Sequence, residues 1–316
     1  MKETAATAAP EQLIETKNSA SLKDFFLSLR PEQWTKNLVI FAALIFANRL
    51  WDTKSLLLSF AAFFDFCLLS GAVYLINDVI DYEQDRFHPE KRRRPIASGR
   101  LSRNAATIAG IFLYVTALVL AYMIGSGFLQ IALIYTAVTV GYTFYFKKIA
   151  ILDVIAISIG FVLRAIAGSE AIGAEASFWL ELCTFLLALF LALSKRRHEL
   201  VFLSADAAKH RSNLAQYSPY LLDQMIGVVT ASCVLAYIQY TVSPATIAKF
   251  QTDNLYFTIP FVIFGIFRYL YLIHREQGGG IPSQHLVSDK PLLISIILWI
   301  LTCVGIIYFP VLRGLF

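Results

Sequence analysis

The side chains with most chemistry to offer lie between Asn77 and Gly99, in NDVIDYEQDRFHPEKRRRPIASG. Asp78, Asp81, Asp85 and His88 step by three, four and three, a spacing that puts all four on one face of a helix. Asp78 and Asp85 then lie roughly 10 Å apart along the axis. Asn77 precedes the acids, and Lys91, Arg92, Arg93 and Arg94 follow them. Three carboxylates in line repel one another unless a cation sits between them. With a cationic patch alongside, they suit a divalent metal carrying a phosphorylated ligand. Mg²⁺ uses one or two carboxylates plus waters and phosphate oxygens, not an all-protein cage. The plainer reading is a helix end leaving the membrane with mixed, solvated charge.

The rest of the chain must position this stretch, and its composition says how. Of 316 residues, 57% are hydrophobic and 16% charged, with a mean hydropathy of +0.62. Soluble domains run near 25% charged, so this is an integral membrane protein. Residues 1–20 are polar, carry no apolar signal-peptide core and are expected to be a disordered tail, leaving one domain over 21–316. Cys67, Cys183, Cys233 and Cys303 fall inside apolar runs and read as small buried hydrophobes. Residues 21–30 read as a short interfacial helix with Ser21 as N-cap, followed by Pro31 and the anchors Trp34 and Lys36.

Nine spanning helices are expected, at 34–50, 56–80, 105–125, 128–146, 151–168, 178–194, 221–243, 256–273 and 291–311. The third and fourth should form a tight hairpin. Of 27 Lys and Arg, twenty-one fall in the N-terminal segment or the even-numbered loops and four on the opposite side. The positive-inside rule puts the N-terminus and the carboxylates in the cytoplasm and the C-terminus outside. A second basic loop after the sixth helix, beginning Ser194-Lys195-Arg196-Arg197-His198-Glu199, suggests two pseudo-repeated four-helix halves whose loops cap one cavity.

Other candidates carry two readings each. Lys147 and Lys148 serve as snorkelling anchors or as phosphate contacts. Arg164, mid-span, is either functional or ion-paired with another helix, and Asp153 is too far along its own helix to reach it. Arg268 reads as an anchor. Lys195, Arg196, Arg197 and Glu199, with Lys209, Arg211 and Tyr217, form a positive-inside stop or a polyanion-binding loop. Gly278-Gly279-Gly280 is a flexible linker or a weak phosphate cradle. No P-loop, dinucleotide-binding, Ser–His–Asp or zinc-type spacing occurs, and no nucleic-acid partner is expected.

Asn77-Asp78-x-x-Asp81-x-x-x-Asp85 with a downstream Arg-Pro resembles the first aspartate-rich motif of the UbiA superfamily of intramembrane prenyltransferases. The resemblance implies an all-α membrane protein with nine transmembrane helices around a central cavity, cytoplasmic polar caps, and Mg²⁺ holding a diphosphate through Asn77, Asp78, Asp81 and Asp85. Arg30-Pro31-x-Gln33-Trp34-x-Lys36-Asn37, Arg94-Pro95-Ile96-Ala97-Ser98-Gly99, Lys195-Arg196-Arg197-x-Glu199-Leu200, Gly279-Gly280-x-Pro282 and Ser288-Asp289-Lys290-Pro291-Leu292 are similar to the decaprenyl-phosphate phosphoribosyltransferase branch. That branch transfers phosphoribose from phosphoribosyl pyrophosphate (PRPP) to a polyprenyl phosphate, releasing pyrophosphate, for cell-wall arabinose donors at the bacterial inner membrane. Here it implies Asp78, Asp81 and Asp85 as catalytic residues. Lys36, Asn37, Lys91, Arg94, Tyr142, Lys147, Arg164, Lys195, Arg196, Arg197, Glu199 and Arg211 would bind substrate.

Two departures from the superfamily pattern stand out. The loop after the sixth helix lacks a second Asp-x-x-x-Asp and is basic instead, which suits an extra phosphate. The Tyr142…Lys147 spacing is one residue longer than in the aromatic enzymes, so Tyr142 and Tyr145 compete for one part. The alternative function is an aromatic prenyltransferase with a polyprenyl diphosphate donor. A transporter reading would need polar residues spread through the spans, whereas here they gather at one face.

Overall fold

The computed structural model of the chain describes residues 21–87, 91–203, 214–275 and 288–313. His88, Lys209, Arg211, Gly278-Gly279-Gly280 and Pro282 lie outside them, as does the 1–20 tail. Among the described residues the chain is helical, with eight helices long and apolar enough to cross a membrane. They are α3 (Thr53–Ile80), α5 (Arg103–Ile124), α6 (Ser126–Phe144), α7 (Leu152–Ala171), α8 (Phe178–Leu203), α9 (Pro219–Val242), α11 (Ile259–Arg275) and α12 (Lys290–Arg313). Short helices complete the order: α1 (Leu22–Ser28), α2 (Ile40–Phe46), α4 (Tyr82–Phe87) and α10 (Pro244–Phe250).

The first expected span, 34–50, is not a regular α-helix. Pro31–Val39 is 3₁₀ and passes into α2 at Ile40. At about 2.0 Å and then about 1.5 Å per residue the sixteen residues from Pro31 to Phe46 extend roughly 28 Å, and eight helices, not nine, are long and apolar enough to span among the described residues. Arg30, before the segment, contacts Asp78 near the end of α3, while Asp52, after it, caps the start of α3 through Lys54 N and Ser55 N. The segment therefore runs the length of α3 in the opposite direction. Ser21 caps α1 as expected, its Oγ accepting from Lys23 N at 3.2 Å. The hairpin is as tight as expected, with Gly125 alone between α5 and α6.

α3 and α7 occupy the centre. Their apolar windows are 56% and 61% buried, against 17% for α5, so the two enclosed helices are the ones that can hold charges away from lipid. Small residues allow the close packing that membrane helices rely on. A Cβ on Gly168 would stand 2.2 Å from the Ile40 carbonyl oxygen, so only glycine lets α2 lie on α7 there. Two of the core's four apolar clusters are the largest. Phe66, Phe128, Tyr135 and Leu163 join α3, α6 and α7, whereas Phe190, Leu222, Tyr269 and Leu292 join α8, α9, α11 and α12. Phe46 links the halves by ring contacts with Tyr240 and Trp299.

One boundary differs from expectation with consequences for the site. The sixth span ends in sequence at Ser194, yet α8 continues to Leu203, so Lys195 to Glu199 are helical and not a loop. Arg196–Glu199 at 2.6 Å and Lys195–Glu199 at 3.8 Å are spaced to support the extra turns.

Candidate active site

The carboxylates gather where α3 gives way to α4. The helix stops at Ile80, Asp81 forms a one-residue turn, and α4 resumes at Tyr82. Backbone bonds Asp81 N→Asn77 O (2.8 Å) and Asp85 N→Asp81 O (2.9 Å) keep the helical path across the break. Asp78 and Asp85 are buried, 4% and 2% exposed, and Asp81 is half-buried. Buried acids demand counter-charge, and each has one. Arg94 bridges Asp78 (3.1 Å) and Asp85 (2.6 Å), Arg30 contacts Asp78, Lys91 stands 3.6 Å from Asp85, and Lys147 3.8 Å from Asp81. Asn77 Oδ1 accepts from Thr143 Oγ1 at 3.3 Å.

Arg94 is held by the short run after it. Ile96 is fully buried with Leu29, Leu75 and Leu101, and Gly99 takes φ +80°, a left-handed turn that returns the chain to α5. Arg100 ties this loop to α1 through Asp24 at 2.9 Å. Arg30 was visible in sequence only as part of a motif. Its place on Asp78, across 48 residues, follows from a left-handed backbone (φ 54°) immediately before Pro31, and its guanidinium also lies over the Tyr74 ring at 4.7 Å.

A second set of cations lies deeper. Arg164, 6% exposed, donates Nε to Asn37 Oδ1 (2.7 Å), Nη1 to Gly160 O (2.8 Å) and Nη2 to Tyr135 OH (2.8 Å). The ion pair considered for it is not found: no carboxylate pairs with Arg164 among the described residues. Asn37 is held in turn, its Nδ2 donating to Cys67 Sγ at 3.3 Å. Lys36, the neighbour of Asn37, lies within electrostatic reach of Lys195, Arg164 and Arg30, all of like charge. Arg30 and Lys195 have carboxylate partners in Asp78 and Glu199, so Lys36 and Arg164 are the cations of this set with no carboxylate contact among the described residues, and two such charges inside a membrane bundle suit an anion between them.

The basic run on α8 behaves differently from the polyanion-binding loop expected. Arg196 is 1% exposed, and its Nε donates to Asp153 (2.8 Å) and its Nη1 to Glu199 (2.6 Å). Arg197 pairs with Asp223 and donates to Ile273 O at 3.4 Å. Both are directed into protein carboxylates because α8 continues as a helix against α7 and α9. Lys195 is the most exposed of the three, at 47%. Asp153 proves to be the partner of Arg196 and not of Arg164. Arg268 is likewise paired, with Asp289 at 2.8 Å, and Asp289 also caps α12 through Leu292 N.

The turn between α6 and α7 carries Lys147. Tyr145 is 70% exposed, whereas Tyr142 is half-buried and within electrostatic reach of Tyr74 and Arg196, so Tyr142 is the inward tyrosine. Ile151, before α7, has φ 71° and ψ −48°. For a β-branched residue such a backbone is strained by about 1–3 kcal/mol.

Hard oxygen donors fit a hard divalent cation: two buried carboxylates, a half-buried third and the Asn77 carboxamide. Among the described residues no three His, Cys, Asp or Glu side chains converge closely enough to hold a metal alone. This donor set suits an ion that shares its coordination with substrate phosphate oxygens.

A polytopic helical bundle with an acid–cation site at one end is the class this architecture defines. The chain belongs to the UbiA prenyltransferase family, whose sequence profile matches residues 37–288. It is 32% identical over 287 residues to the decaprenyl-phosphate phosphoribosyltransferase of Corynebacterium glutamicum, covering 89% of this chain and 86% of that one. The enzyme of the same name from Mycolicibacterium smegmatis is also 32% identical, over 292 residues, 89% of this chain and 92% of that one. In three dimensions the chain resembles a UbiA homolog from Archaeoglobus fulgidus bound to GPP and Mg²⁺, with TM-score 0.68 and 20% identity over 90% of this chain and 99% of that one. This last likeness carries the fold.

Proposed function

We propose that this protein transfers 5-phosphoribose from PRPP to a polyprenyl phosphate, decaprenyl phosphate in its bacterial relatives, and releases pyrophosphate. The observation that carries the reading is the pair of cation sets. Arg30, Arg94, Lys91 and Lys147 surround the carboxylates, and Lys36 and Arg164 form a deeper set with no carboxylate contact among the described residues. A donor and an acceptor that both bear phosphate call for two such regions, whereas a prenyl diphosphate with a phosphate-free aromatic acceptor brings its phosphates to one. The likeness to phosphoribosyltransferases over nearly the whole chain supports the same reading.

Asp78, Asp81 and Asp85, with Asn77, would hold Mg²⁺; when bound, the ion supplies Lewis-acid neutralisation of the diphosphate leaving group. Arg94 and Arg30, already on Asp78, are placed to take diphosphate oxygens as the donor enters, and Lys147 approaches from the α6–α7 turn. The bond between ribose C1 and the diphosphate oxygen breaks, and a lipid phosphate oxygen forms the new bond to C1. That oxygen is anionic near neutral pH, so no strong general base is required. Lys36, Asn37 and Arg164 would orient the acceptor phosphate, so that positioning and fixed charge supply most of the rate. Arg196, Arg197 and Glu199 drop out as direct ligands and serve as framework. We place the site on the cytoplasmic side, where the positive-inside rule puts it and where PRPP is available.

The test is Asp81→Ala in purified protein. Turnover should disappear while the melting midpoint stays near that of the wild type, because Asp81 is half-buried and, among the described residues, its side chain has one ionic partner, Lys147, at 3.8 Å. Retained turnover would remove the metal site from the account.

A further inference from the structure

A clamp on the turn that carries Lys147 is assigned no part in the reaction above, although the geometry around it is unusually complete. Residues 148–151 join the 3₁₀ turn Phe146–Lys148 to α7, and their backbone is held from outside by two consecutive side chains, Gln216 and Tyr217, which precede α9. Gln216 Oε1 accepts from Ala150 N at 3.4 Å, and its Nε2 donates to Lys148 O at 3.5 Å. The Tyr217 hydroxyl accepts from Ile151 N at 2.6 Å and donates to Asp153 Oδ1 at 2.9 Å. Tyr217 is 6% exposed and Asp153 fully buried, so the two Tyr217 bonds are shielded from water, whereas those of Gln216 are exposed. Together they bracket Ile151, the residue with strained positive φ, whose N–H Tyr217 itself receives.

Strain at a β-branched residue persists only where the surroundings over-determine it. A turn with no task would relax by taking glycine or asparagine at this position. Holding Ile151 in place fixes the direction in which the preceding turn leaves α6, and so fixes Lys147 against Asp81 at 3.8 Å. The clamp also spans the two halves of the bundle, since Lys147 and Asp81 belong to the first and Tyr217 to the second.

We propose that Tyr217, assisted by Gln216, is a positioning residue that holds the 148–151 turn so that Lys147 is aimed at the donor diphosphate beside Asp81. The inference rests on the reading of Lys147 given under Proposed function. Tyr217 touches neither substrate and acts through Lys147. Burial pushes its hydroxyl up to about 12, so it remains a donor to Asp153 through the physiological range.

The experiment is a kinetic double-mutant cycle on the full-length protein with PRPP, polyprenyl phosphate and Mg²⁺. Tyr217→Phe removes one oxygen and leaves Asp153 bonded to Arg196. Its KM for PRPP should rise about tenfold, the size expected of one or two buried hydrogen bonds, with KM for the lipid phosphate within about twofold of wild type. Lys147→Met should raise KM for PRPP at least as far, and the double variant should be no worse than Lys147→Met alone. Losses that multiply in full, or unaltered PRPP kinetics in Tyr217→Phe, would overturn the proposal. If Tyr217→Phe does not fold, Gln216→Ala, an exposed change on the same turn, is run through the same cycle. It should give a smaller rise in the same parameter, again absent in the Lys147→Met background. A wild type that ignores PRPP but consumes a prenyl diphosphate would refute the substrate reading and not the clamp; the cycle then runs on that diphosphate with the same two outcomes.

Discussion

Arg196→Met separates framework from ligand-binding cations most sharply. Arg196 is 1% exposed and Asp153 0%, joined at 2.8 Å, with a further bond from Arg196 to Glu199 at 2.6 Å. Removing the guanidinium leaves the Asp153 carboxylate buried without its main counter-charge, which costs about 3–5 kcal/mol when one member of a buried pair is lost. Methionine fills similar volume, so little of the loss comes from a cavity. The Asp153→Asn, Arg196→Met double variant has no stranded charge, and its amide oxygen still accepts from Tyr217. Most of the lost stability should return. The assay is thermal unfolding in detergent, read alongside binding of PRPP and of a short polyprenyl phosphate. The single variant should melt several degrees lower and, below its transition, bind both ligands with unchanged affinity. A variant that melts with the wild type but no longer binds one phosphate would refute the framework assignment.

Other sites give shorter tests. Asp65, buried in α3 at 1% exposure, has no hydrogen-bond partner for either oxygen among the described residues. Asp65→Leu should therefore be neutral or stabilising by about 1–3 kcal/mol, and a large loss of stability would show an unrecognised partner. Gly168→Ala drives a methyl to 2.2 Å from the Ile40 carbonyl oxygen, so α2 must lift from α7. We expect destabilisation by about 1–3 kcal/mol, with weaker acceptor binding because Lys36 and Asn37 precede α2 on the same segment. Unchanged melting would contradict the tight α2–α7 approach. Arg94→Met removes the bridge between Asp78 and Asp85 and should raise KM for PRPP at least tenfold while sparing KM for the lipid. A rise confined to the lipid would reassign Arg94.

The long apolar runs and the position of the acids could be read directly, because hydropathy and the i, i+3, i+7 spacing are local properties. Deviations arose wherever a distant partner decided the outcome. Nothing local marks Pro31–Val39 as 3₁₀; the extended winding follows from having to traverse α3 with few residues. The apolar run stops at Ser194, yet α8 continues because Arg196 finds Asp153 on α7 and Arg197 finds Asp223 on α9. Charge alone made Lys195 to Arg197 look like one ligand-binding unit, while the fold directs two of the three into protein carboxylates. Arg30 was hidden for the same reason, since its meeting with Asp78 depends on the backbone at Arg30 itself. The mid-span Arg164 was legible as exceptional, but its neutral partners, Asn37 and Tyr135, come from two other parts of the chain.

Substrate consumption tests the central claim most directly. Purified protein is given Mg²⁺, PRPP and a short polyprenyl phosphate, and pyrophosphate release is followed together with the mass of the lipid product. The account predicts release that needs both substrates, stops with EDTA, and yields lipid enlarged by one phosphoribosyl group. Silence with PRPP, and release from a prenyl diphosphate with an aromatic acceptor instead, would contradict it.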